Sequence, residues 1–320
     1  MTQDMVQMVL VNLAFLAGGF VLLIKGADFF VKGASTIAHK FGVPQIVIGL
    51  TVVAMGTSAP EAAVSISAAI SGNADITIGN VLGSNIMNIF VILGLTALVA
   101  PILVDKDAIK VDMPFMLGIS ILLPPLGLTG YIVDRVEGLV LLALFTAYMI
   151  YLFRRALKGS NKEDEARPTY GQGSRWMFFW TLVGLVMIVV GSKATVYGAS
   201  EIAAGLGVSQ RMIALTVVAF GTSLPELVTS VTAARRGNTG LAIGNIVGSN
   251  IFNILFVTGL TAAITPIAFR PAFMIDGGIA AFAALLLWVF SLISHRLGRV
   301  SGAVMLACYA AYFAFVLFLK

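Results

Sequence analysis

Ten stretches longer than about 17 apolar residues run through this chain of 320, at roughly 8–31, 45–70, 78–100, 112–131, 134–153, 176–199, 210–234, 243–265, 272–293 and 300–319. Each is long enough to cross a bilayer, and a span without access to water must satisfy its own backbone hydrogen bonds, as a helix does. The remaining residues cannot supply a polar shell. The chain is 59% hydrophobic and 11% charged, against about 45–50% and 25% for a soluble domain. A cytosolic enzyme, a secreted disulfide scaffold and a disordered chain are thereby excluded. The one cysteine, Cys308, allows no intrachain disulfide and no thiolate cluster. The opening MTQDMVQMVL carries no Lys or Arg, so the first apolar segment is expected to be a retained helix rather than a cleaved signal. The expected fold is an all-α integral membrane protein with ten transmembrane helices.

One long polar segment, Arg154 to Arg175, separates two groups of five spans. The expected organisation is therefore 1–153, a loop at 154–175, and 176–320. Aligning each residue with the one 165 positions later reveals a duplication. Residues 42–102 fall on 207–267 with 34 of 61 positions identical and no gap. Generic hydrophobicity matches Leu with Val; it does not match GTSxPE, GN, GSNIxNI and GLTA in one register. Because five is odd, the second copy enters the membrane from the opposite side. Inverted repeats of this kind place a transporter's site near the midplane, at the repeat interface.

Charge orients the chain. With the 154–175 loop in the cytoplasm, that side carries Lys32, Lys40, Lys106, Lys110, six basic loop residues, Arg235, Arg236, Arg296 and Arg299, or 14 of the 20 Lys and Arg. The other side carries Arg135, Arg211, Arg270 and Lys320, while Lys25 and Lys193 lie within spans. The positive-inside rule then places the 154–175 loop inside and both termini outside a plasma (inner) membrane. The net charge of +5 records this topology and needs no nucleic acid to explain it.

Away from the span ends, carboxylates are few: Asp28, Glu61, Glu226 and Asp276. An ionisable group at bilayer depth costs at least about 2.5–3.5 kcal/mol, so it is kept where it has work to do. Glu61 and Glu226 are offset partners, each ending one copy of GTSxPE. Thr57 and Ser58 precede Glu61 by four and three residues and share its helix face. Pro60 and Pro225 lack an N–H and break the ladder near Gly56 and Gly221. Carbonyls near Ala54 and Ala219 are then expected to add oxygen ligands, in a broken backbone that lines a polar cavity. In GSNIMNI and GSNIFNI, Ser84 and Asn88, like Ser249 and Asn253, stand four apart and add neutral oxygens. Carboxylate, hydroxyl and carbonyl oxygens suit a hard cation such as Na⁺, Ca²⁺ or Mg²⁺. Small and amide residues often serve helix packing alone; their repetition beside paired Glu residues favours the ion reading.

The doubled GTSxPE and GSNIxNI motifs resemble the α-repeats of the cation/Ca²⁺ exchanger superfamily, most nearly its prokaryotic sodium/calcium exchanger branch. The resemblance implies alternating access at four central sites, exchange of three Na⁺ for one Ca²⁺, and a sliding gate made by the first and sixth helices. It also implies the ligands Ala54, Thr57, Ser58, Glu61, Ser84 and Asn88, with the counterparts Ala219, Thr222, Ser223, Glu226, Ser249 and Asn253. One departure is that several family members carry Asp where this chain has Asn88 or Asn253. The cage then holds two carboxylates rather than three, still enough to balance Ca²⁺.

The expected function is Na⁺/Ca²⁺ antiport for Ca²⁺ extrusion, without covalent chemistry, enzymatic activity or a cofactor; Ca²⁺ and Na⁺ bind as transported ions. The alternative is a Ca²⁺/H⁺ antiporter, since a buried Glu can also carry a proton. Against that, the proton-coupled branch of the superfamily usually has a GNxxE-type motif in place of GTSxPE. A cation channel is the less favoured class, because no filter-like run is present. An intramembrane hydrolase fails for want of a His or Lys at useful spacing. The expected partners are the inorganic cations and the lipid bilayer, with no obligatory protein partner. Asp28 falls on Lys193 under the offset, so the symmetry lapses there.

Overall fold

The computed structural model describes residues 3–72, 74, 76–127, 130–157, 174–207 and 219–318. Among the described residues the regular structure is helical apart from four two-residue strands. Among the described residues, eight helices are long and apolar enough to cross a membrane. A ninth span results if Gln45–Thr57 and Ala59–Ile70, bent by 48° at Ser58, are taken together. The span expected at 210–234 lies partly outside the described residues; its described part is Ala219–Thr222 and Leu224–Arg235.

Burial sorts the spans. The most apolar windows of Ile76–Val99 and Thr239–Ile264 are 83% and 89% buried, whereas that of Arg299–Val316 is only 11% buried. The two GSNIxNI helices therefore form the centre, and the outer helices turn apolar side chains toward lipid. Each central helix loosens at the end of its motif into a π-helical turn, Asn88–Leu93 in one half and Asn253–Val257 in the other. Such turns shift the backbone register and often mark functional sites.

The halves interlock at both ends. Ile102–Leu103 (β1) pairs antiparallel with Arg296–Leu297 (β4), and Ile132–Val133 (β2) with Ile267–Ala268 (β3). Near the first ladder, Arg155 at the end of Arg135–Leu157 forms a 2.8 Å ion pair with fully buried Asp112. It also reaches Asp105 and Asp107 at 3.7 and 3.5 Å, and the Tyr148 hydroxyl donates to Asp112 at 3.0 Å. The Trp288 indole donates to the Ile109 carbonyl at 2.8 Å, so this Trp ties two spans together.

The first helix, Gln3–Phe41, lies along Ser174–Gly205 on a seam of glycines. Gly19, Gly26 and Gly33 recur every seven residues, as do Gly184, Gly191 and Gly198. A Cβ on Gly26 would stand 2.8 Å from the Gly184 carbonyl oxygen, and one on Gly184 only 2.7 Å from that of Gly26. The backbones meet because nothing projects between them. Gly26→Val or Gly184→Val is expected to force the helices apart and cost at least about 1–3 kcal/mol, seen as a lower melting temperature. Gly18→Val is the control, since a Cβ there meets nothing within 4 Å. Equal melting of all three would disprove the seam.

Candidate ion-binding site

The helix break occurs at Ser58 and Ser223, the residues two before each proline. Both have left helical geometry, with φ/ψ of −84°/7° and −90°/4°. Pro225 has no N–H for the Gly221 carbonyl, and the Ser192 hydroxyl donates to that oxygen at 2.7 Å instead. The Ala54 carbonyl, expected to be freed, accepts from the Ser58 N–H at 3.0 Å.

The break starts a new helix directly before each carboxylate and brings the two motifs together. Glu61 and Glu226 are 2% and 1% exposed. The Ser58 hydroxyl donates to Glu226 Oε1 at 2.7 Å, across the two halves. Ser223 lies beside Glu61, and Thr57 and Ser249 lie beside Glu226. The two carboxylates are close enough to act on each other electrostatically. Ala54, Thr57, Ser84, Asn88 and Asn253 are buried too. Thr222 is half-buried at the edge of a cavity, and Ala219 opens the short helix that leads to it.

Several of these oxygens have no hydrogen-bond donor. Glu61 Oε2, Glu226 Oε2, Asn88 Oδ1 and Asn253 Oδ1 are buried without a partner. A buried polar atom left unpaired costs about 1–3 kcal/mol, more when charged. Four such acceptors in two motif copies form a donor set with a cation's preferences. Among the described residues, no group of three His, Cys, Asp or Glu could hold a metal; two carboxylates with neutral oxygens are what the site offers.

A second layer of amides was not singled out from the sequence. Asn80 donates to the Glu61 carbonyl at 3.1 Å and to Ser65 Oγ at 2.9 Å. Its offset partner Asn245 donates to the Glu226 carbonyl at 3.4 Å and to Ser230 Oγ at 2.9 Å. Asn245 Oδ1 also accepts from Thr57 at 2.9 Å. The available signal was GN, present in both copies.

A cavity of about 1140 Å³ opens between Ala59–Ile70 and Ser174–Gly205. Ser67, Ser71, Lys193 and Tyr197 line it, and Gly221 and Thr222 lie where it meets the motif. Across the molecule the first helix packs on Leu224–Arg235. There Asp28 pairs with Arg236 and, at 2.8 Å, with Lys32. The offset pairs Asp28 with Lys193 and Arg236 with Ser71, so the Asp28–Arg236 ion pair has no counterpart at the offset positions.

Known proteins resemble this chain. Sodium/calcium exchanger MaX1 of Methanosarcina acetivorans is 34% identical over 346 residues, covering 95% of this chain and 98% of the relative. Inner membrane protein YrbG of Escherichia coli K12 is 37% identical over 260 residues, 79% of this chain and 80% of the relative. A structure of the sodium-calcium exchanger NCX_Mj, soaked with zero Na⁺ and Ca²⁺, superposes with a TM-score of 0.84 at 35% identity, covering 96% of this chain and 99% of that one. The family described as sodium/calcium exchanger protein matches residues 11–154 and 176–318. A match over both halves, on a chain whose duplicated motifs converge on two buried carboxylates, identifies this membrane protein as a member of the sodium/calcium exchanger family.

Proposed function

We propose that the protein is a secondary antiporter that exchanges Na⁺ for Ca²⁺, three to one, and extrudes Ca²⁺ across the inner membrane. The observation that carries this reading is the pair of buried carboxylates, each with one oxygen unpartnered, beside two unpartnered amide oxygens. The ligands are Ala54, Thr57, Ser58, Glu61, Ser84 and Asn88 with Ala219, Thr222, Ser223, Glu226, Ser249 and Asn253, and no cofactor takes part. The printed names of MaX1 and NCX_Mj support the ion pair. The deciding experiment is Ca²⁺ flux in proteoliposomes under separately imposed Na⁺ and pH gradients. Uptake driven by the Na⁺ gradient supports the reading; uptake driven by pH alone would select the Ca²⁺/H⁺ alternative.

Ten spans in two inverted halves, 1–153 and 176–320, complete the proposal. The strand ladders support the inversion. Residues 102 and 133 flank the span Ala108–Leu126, one at each end. Residue 102 pairs with 297 and 133 pairs with 267, which supports opposite faces for the offset partners 102 and 267. Charge then orients the protein with both termini outside and the cavity facing outward. In a Cys308→Ala background, Ser71→Cys is expected to react with an impermeant thiol reagent applied to intact cells, while Asn161→Cys stays protected. The reverse pattern would invert the orientation.

A further inference from the structure

We propose that Asn85 and Asn250 are positioning residues that turn the side-chain oxygens of Asn88 and Asn253, rather than their amino groups, toward the transported cation. The proposal rests on the ion site described above. An amide can present a cation with either an acceptor oxygen or a donor NH₂, and a half-turn about one bond interchanges them. At a cation site only the oxygen is useful.

The structure holds both amides in one sense through two crossed chains of hydrogen bonds. Asn250 Nδ2 donates to the Asn85 main-chain carbonyl at 3.3 Å. That leaves Asn250 Oδ1 as acceptor for Asn88 Nδ2, at 3.0 Å. Asn88 Oδ1 is then the end of the chain, buried and without a partner. The mirror chain runs from Asn85 Nδ2 to the Asn250 carbonyl at 3.2 Å, and from Asn253 Nδ2 to Asn85 Oδ1 at 3.1 Å. Asn253 Oδ1 is left buried and unpartnered in turn.

Each chain starts at a main-chain carbonyl, which can only accept. Reversing either outer amide would oppose two donors or two acceptors, so its direction is set. All four asparagines are at most 1% exposed. The chains cross between halves, so the candidate ligand of each repeat is oriented by the other. The two π-helical turns opened by Asn88 and Asn253 pack on the helices that carry Glu226 and Glu61, respectively. Residues that orient metal ligands typically change affinity by about 10–100-fold when removed.

The test is Ca²⁺ binding to the purified full-length protein without Na⁺, with Asn250→Ala made in two backgrounds. In the native background Asn88 can then turn either way, and Ca²⁺ affinity is expected to fall by about 10-fold or more. With Asn88→Asp already present, a carboxylate offers an oxygen in either orientation, and Asn250→Ala is expected to cost less than about 2-fold. Equal losses in both backgrounds would assign Asn250 to packing alone and overturn the proposal; so would unchanged affinity in the single variant. The mirror arm, Asn85→Ala with and without Asn253→Asp, is read in the same way and decides the question if Asn250→Ala does not fold. Asn88→Ala reports on the underlying site. Unchanged Ca²⁺ affinity there would remove Asn88 from the ligand set itself, a failure distinct from that of the orienting chain.

Discussion

Glu61→Gln and Glu226→Gln are each expected to reduce Ca²⁺ uptake to background. Glutamine keeps the size of glutamate and one oxygen, so the helix break and surrounding packing have no reason to change. The charge does change. Two carboxylates balance one Ca²⁺, and a single remaining carboxylate leaves a divalent ion half-compensated where both side chains are almost wholly buried. Removing one partner of a buried charge pair costs about 3–5 kcal/mol, on the order of 10²–10⁴-fold. The two variants should be equally impaired, since each carboxylate supplies half of the compensation. Lys158→Gln, in the polar segment, should transport normally. The measurement is radioactive Ca²⁺ uptake into Na⁺-loaded proteoliposomes at matched protein content. Normal exchange by either Glu variant would end the two-carboxylate site.

Ca²⁺ uptake into Na⁺-loaded vesicles is expected to respond to membrane potential and to fall as the medium is acidified. With both carboxylates ionised, the cage is neutral with one Ca²⁺ bound and carries +1 with three Na⁺. A three-for-one cycle therefore moves one net charge, whose coupling to the membrane is about 2.3 kcal/mol per 100 mV. A cycle of two protons for one Ca²⁺ would be electrically silent. The sign of the pH effect also separates the readings. In the sodium reading a proton on Glu61 or Glu226 removes charge that Ca²⁺ needs, so acid inhibits from either side. In the proton reading, protons on the side opposite Ca²⁺ drive uptake. Having Asn rather than Asp at 88 and 253 sharpens the comparison, because no third acidic site remains at these positions to carry an extra charge. Uptake that follows a pH gradient and ignores Na⁺ and voltage would overturn the sodium reading.

Much of this protein can be read from local chemistry. Apolar length marks the spans because the bilayer sets a fixed thickness, and Pro60 and Pro225 mark the breaks because proline has no N–H to give. The 165-residue offset identifies equivalent residues, including the paired carboxylates. The same offset could have shown the two seven-residue glycine series, since Gly19, Gly26 and Gly33 fall on Gly184, Gly191 and Gly198. Equivalence, however, is not contact. Ser58 hydrogen-bonds to Glu226 and not to its counterpart Ser223. Asn85 does meet its counterpart Asn250, through reciprocal bonds to each other's carbonyls. Which case holds depends on how near a residue lies to the axis relating the halves, and no local periodicity contains that distance. Asp28 is similar: sequence shows it unmatched by Lys193, but only the packing of the first helix on Leu224–Arg235 brings it to Arg236. Sequence by itself determined the membrane class, the duplication and the candidate carboxylates, because these follow from solvent, spacing and charge along the chain. Tertiary structure alone decided which oxygens remain unpartnered and where the cavity meets the motif, because both depend on contacts between segments far apart in the chain.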